Sequence, residues 1–119
     1  IIEPGCVLTP IWGKVEPPSG ESPYANSMIR LGRFFEFGLT RPPAMPTDVA
    51  QAIAHAIESD EPHFRYPVGP DAEEVIAARN SVSDDEWMAL NCLQGEAFYD
   101  RWEEIVGVDY FRGELPTPE

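Results

Sequence analysis

The chain has 119 residues, 21 acidic against 8 basic side chains (net −13) and 13 prolines. That length allows one domain with a small core. An isoelectric point near 4.3 argues against a nucleic-acid or anionic-membrane partner, and no apolar run reaches the roughly 18 residues that a transmembrane helix needs.

Ile1–Glu3 reads as the end of a strand, stopped by Pro4-Gly5. The opening is apolar, has no initiator Met and no charged n-region, so it is not expected to be a signal peptide; it is expected to be part of a larger or processed chain. Residues 10–23 hold Pro10, Pro17, Pro18, Gly20 and Pro23 and read as a loop. Ser22-Pro23 offers an N-cap and a first-turn proline for a helix that ends near Gly38 and places Met28, Leu31, Phe35 and Leu39 on one side. Pro42, Pro43 and Pro46 make a second break. Thr47 then caps a helix in which Val49, Ile53 and Ile57 recur every four residues beside Ala50 and Ala54.

Phe64–Gly69 reads as a short strand in which Pro67, unable to donate to a ladder, belongs at an end or an edge. A helix follows over Asp71–Arg79. Ser83-Asp84-Asp85-Glu86 is a capping box opening a helical region from about 84 to 105, which Gly95 divides. Gly113–Glu119, with two prolines, is expected to fray. Charge is uneven: residues 70–119 hold 13 acids and three bases, residues 1–69 eight and five. Trp87, Leu90, Phe98, Trp102, Ile105 and Val106 interrupt the acidic half, which marks amphipathic helix rather than a disordered tail.

Isolated chemistry is sparse. Cys6 and Cys92, with no CxxC and no histidine pair at ligand spacing, read as two buried free thiols of a reducing cytoplasm, and no metal site is expected. His55 and His63 read as structural or exposed. Asp84, Asp85 and Glu86 are explained by helix capping and the dipole, and Glu96, Asp100, Glu103 and Glu104 by a solvated helix face.

Three segments in order carry a resemblance. A strand ending in Pro4-Gly5 is followed by Val7, Thr9 and a proline-rich loop with aromatics; Pro46-Thr47-Asp48-Val49-Ala50 opens a late helix; Arg65-Tyr66-Pro67-Val68-Gly69-Pro70-Asp71-Ala72 looks like a last strand and its turn. Over roughly residues 1–110 this resembles the C-terminal part of the short-chain dehydrogenase/reductase family. The resemblance implies an α/β class: the C-terminal part of a Rossmann-like doubly wound fold, helix-rich, with about two strands here. Residues 1–69 would be the nicotinamide-side loop, substrate lid, late helix and last strand, and 70–119 an acidic helical extension.

The resemblance further implies NAD or NADP as cofactor, with Pro4, Gly5, Val7 and Thr9 on its nicotinamide side, and a hydrophobic alcohol or carbonyl substrate against Ile11, Trp12, Tyr24 and Met28. The family's remaining signatures are missing. None of the nine glycines forms a phosphate-binding G-x-G-x-x-G turn. The family's catalytic Tyr has a Lys four positions later that lowers its pKa; Lys14 is the only lysine here, and Pro10 stands four before it. No catalytic residue is therefore assigned, and the chain alone is not expected to run the reaction. The partner implied is either an N-terminal half that carries those parts or a second copy of the chain. On the second alternative the chain is a non-enzymatic dimerisation module derived from such a gene.

Overall fold

The computed structural model describes residues 1–14 and 22–112. The expectations for Pro17, Pro18 and Gly20 and for the 113–119 terminus lie outside the described residues. In chain order the elements are β1 (Ile2–Pro4), a 3-10 helix (Pro10–Lys14), α1 (Ala25–Thr40), α2 (Pro46–Glu58), β2 (Tyr66–Val68), α3 (Pro70–Ser81), α4 (Asp84–Cys92) and α5 (Gly95–Val106). The chain is helix-rich with two parallel strands, compatible with an α/β class.

β1 and β2 pair in register Ile2↔Tyr66, Glu3↔Pro67 and Pro4↔Val68. Tyr66 donates its N–H to the Ile1 carbonyl at 2.9 Å, and Gly5 donates to Val68 at 3.0 Å. Backbone groups in a strand alternate sides, so Tyr66 and Val68 face β1 while the N–H that Pro67 lacks would face away. By the same alternation Pro4 spends its missing donor on the opposite side of β1. Both prolines thus sit where no ladder bond is lost among the described residues.

Ser22 does not cap α1. Its hydroxyl accepts the Tyr24 N–H at 3.1 Å and closes a turn just outside the helix, so α1 starts at Ala25. Nor does Gly38 end it. Its φ is not positive, and the helix runs on to Thr40, where Pro42-Pro43 forbid continuation. Gly38 serves packing instead: a Cβ there would stand 2.5 Å from the Cys6 sulfur. α2 begins at Pro46, ahead of Thr47, with Pro46 preset for the first turn and the Asp48 carboxylate accepting the Met45 N–H at 2.7 Å. In α4 the Ser83–Glu86 capping box is formed reciprocally, at 3.2 and 3.0 Å.

The core lies at the C-terminal end. Leu90, Phe98, Trp102, Tyr110 and Phe111 are buried together, with Phe34, Phe37, Val75, Trp87, Ile105 and Val106 packed around them. Gly107 ends α5 in the left-handed conformation (φ 81°), and the Asp109 carboxylate then accepts the Phe111 and Arg112 N–H groups at 2.8 and 3.1 Å. This tight turn aims Tyr110 and Phe111 inward. Tyr110 stacks on Phe34 with ring centres 5.1 Å apart and leans on Phe37 at 4.5 Å. Residues from before and after Gly69 therefore share one core.

The side of α1 that carries Met28, Leu31, Phe35 and Leu39 is not the one that meets the C-terminal core. Phe34 and Phe37 point to the core, Phe35 packs on Trp12 at 5.0 Å, and Met28 and Leu31 remain 40% and 45% exposed. α1 is apolar on several sides, so periodicity alone does not choose among them. Cys6 is buried as expected, but Cys92 is exposed; both are free thiols. Cys92 is the last residue of α4, whose Leu90 takes the core position. His55 and His63 are exposed. The acids of α5 are more organised than a solvated face requires, because Arg112 reaches Glu96 at 2.8 Å, Asp100 at 2.5 Å and Glu103 at 3.3 Å.

Candidate functional site

The loop leaving the carboxyl end of β1 gathers the residues expected at a nicotinamide. Pro4 ends the strand, and Gly5 turns the chain while its N–H stays bonded to β2. Glycine is required at position 5, since a Cβ would run into the Asp71 carboxylate. The Cys6 carbonyl accepts the Ala44 N–H at 3.2 Å and the Leu8 N–H donates to the Ala44 carbonyl at 2.8 Å, so Val7 forms a parallel bridge with Ala44.

That bridge settles where the Val7 main chain points. In a parallel bridge the flanking residues bond the partner, and the central residue's own N–H and C=O face the other way. The Val7 carbonyl accepts the Trp12 indole N–H at 2.8 Å, while its N–H has no partner among the described residues. Thr9 is half-buried two residues on; its carbonyl caps the 3-10 helix by accepting the Trp12 N–H at 3.4 Å.

Beneath the loop lies Asp71, which is 4% exposed and stands in the first turn of α3. Its Oδ2 accepts the Cys6 N–H at 2.5 Å. Burial, with the Asp71 carboxylate beside the sulfur, pushes the Cys6 thiol up to about 12, which disfavours the thiolate. A cleft of about 340 Å³ opens beside this junction, walled by Pro4, Gly5, Cys6, Phe34, Phe35 and Asp71.

The residues expected at the substrate are less closely grouped. Trp12 is tied to the loop through Val7, but Ile11, Tyr24 and Met28 are 60%, 70% and 40% exposed. Tyr24 and Met28 stand one turn apart at the start of α1, and no hydrogen bond or ring contact joins them to Trp12.

A second polar cluster joins α1, α3 and the C-terminal turn. Arg41 grips Glu74 with two bonds of 2.5 and 2.6 Å, and the Tyr110 hydroxyl donates to the same carboxylate at 2.8 Å. The Arg41 guanidinium holds the Glu74 carboxyl below its usual range, and burial together with Glu74 pushes the Tyr110 phenol up. This cluster ties elements together around a satisfied charge. Among the described residues no three metal-ligating side chains converge, and no helix is long and apolar enough to cross a membrane.

Asp71 is the residue that sequence reasoning missed here. An acid in a first helical turn is expected for dipole reasons alone, so its role beneath a loop 65 positions away has no local signature. Comparison with protein-family models, with curated proteins and with solved structures found no match to this chain.

Proposed function

We propose that this chain forms the nicotinamide side of an NAD(P)-dependent oxidoreductase of the short-chain dehydrogenase/reductase type, built on a Rossmann-like sheet that other strands complete. The observation that carries the reading is the Val7 N–H, which has no partner among the described residues and follows a parallel strand that ends in Pro-Gly. Dinucleotide folds bind their ligand at the carboxyl ends of parallel strands.

The donor set suits a primary carboxamide. That group accepts at its oxygen and donates through its NH2. The Val7 N–H can give one bond to the oxygen. The Val7 carbonyl, with one lone pair engaged by Trp12, keeps a second for the amide. The Thr9 hydroxyl stands two residues further along the same loop. When bound, the cofactor would supply the hydride chemistry; this chain would orient its ring and cover it with Trp12 and the start of α1. Tyr24 is followed four positions on by Met28 rather than by a lysine, so the proton relay has to come from residues outside this set.

Amide NMR separates the two ends of the cofactor. Nicotinamide mononucleotide is expected to shift the Val7, Leu8 and Thr9 amides in a saturable way, while adenosine monophosphate leaves them unmoved. Equal responses to both, or no response around Val7, would remove the reading.

A further inference from the structure

Resting on that reading, the structure assigns Asp71 as the positioning residue of the site: its carboxylate holds the Gly5–Cys6 backbone from below, so that the Val7 N–H is presented to the ligand.

Asp71 would ordinarily be a poor core residue, since an isolated buried carboxylate is costly. Here two features reduce that cost. Gly69, at φ 100°, and Pro70 turn the chain sharply from β2 into α3, so Asp71 falls in the first turn of a helix whose N-terminal dipole favours a negative charge. The carboxylate then receives a charge-assisted bond from the Cys6 N–H at 2.5 Å, across 65 positions of sequence. That amide is the residue directly before Val7.

Two glycines show how closely the junction is fitted. Gly5 leaves no room for a side chain above the carboxylate, and a Cβ on Gly38 of α1 would stand 2.5 Å from the Cys6 sulfur and 3.6 Å from Asp71 Oδ2. β1, α1 and α3 therefore meet on one carboxylate and one thiol. Asp71 accepts the Cys6 N–H and the Ala44 N–H donates to the Cys6 carbonyl, so Cys6 is held at both ends of its backbone, which orients the Val7 N–H, unpartnered among the described residues.

The alternative is that Asp71 serves stability alone, and ligand binding distinguishes the two. Asp71→Ala and Asp71→Asn are compared with the unaltered chain by amide NMR, hydrogen exchange and titration with nicotinamide mononucleotide. In Asp71→Ala, loss of one charge-assisted bond is expected to speed Cys6 amide exchange and weaken the mononucleotide by about tenfold or more, with the amides of the α5 core unmoved. Asp71→Asn keeps an oxygen acceptor of the same shape and is expected to recover most of both losses. Should the alanine variant fold poorly, the asparagine variant still reads the charge-assisted part, as a smaller change confined to Cys6 and Val7. Unchanged Cys6 exchange in Asp71→Ala overturns the positioning role. So does weaker mononucleotide binding with an unmoved Val7 amide. If the unaltered chain ignores the mononucleotide while Cys6 exchange still depends on Asp71, the nicotinamide reading fails and the clamp on the loop stands.

Discussion

The two ends of the molecule treat their apolar residues in opposite ways. Around α5, Leu90, Phe98, Trp102, Tyr110 and Phe111 are 1–7% exposed and lock together with α1 and α3. At the sheet end, Ile53 and Ile57 of α2 are 44% and 78% exposed, Phe64 before β2 is 73% exposed and Ile1 57%. Both stretches have the pattern of an element with a buried face. The α5 end closes within the described residues, whereas α2 packs beside β1 and β2 with Val49, Ala52 and Ala56 half-buried and leaves Ile53 and Ile57 exposed. Among the described residues the C-terminal core is closed by its own side chains, while the sheet has two parallel strands.

Trp102→Ala removes the ring that touches Phe34, Phe98, Tyr110 and Phe111, and is expected to cost about 3–5 kcal/mol in denaturant unfolding. A loss below about 1 kcal/mol would mean that this cluster is not the core.

The Arg41–Glu74–Tyr110 cluster sharpens the same end through pH. The carboxyl of Glu74 is depressed in the folded state. Its contribution is therefore present above the unfolded carboxyl pKa, about 4.3, and is lost as pH falls through the lower folded value. Glu74→Gln should lower stability at neutral pH and flatten the acid limb of the unfolding curve. An acid limb as steep as that of the unaltered chain would contradict the cluster's role.

The smallest effect is expected at the weak end. Ile57→Ser alters a side chain that is already 78% exposed and should change the chain's own stability by about 0.5 kcal/mol or less. A loss comparable to that of Trp102→Ala would show the α2 face to be covered after all.

Much of the fold was legible where a local rule has one solution. The Val49, Ile53 and Ile57 spacing marked α2, the Ser83–Glu86 box marked the start of α4, and Pro67 was confined to an edge by the donor it lacks. Legibility failed where long-range packing chose among equivalent local options. Phe34 and Phe37 turn inward, rather than Met28 and Leu31, because Tyr110 arrives from the C-terminal turn. Gly38 resembled a helix end but is a contact for Cys6. At the candidate site, the loop from Pro4 to Thr9 was singled out through a resemblance, whereas Asp71 beneath it was not, because an acid in a first turn already has a sufficient local reason.

Whether the Val7 loop holds a nicotinamide is read most directly from intermolecular NOEs between nicotinamide mononucleotide and the isotopically labelled chain. Contacts are expected from the carboxamide and ring protons to Val7, Thr9 and the Trp12 indole. Contacts confined to the aromatic residues of the α5 end, or none under saturating mononucleotide, would contradict that expectation.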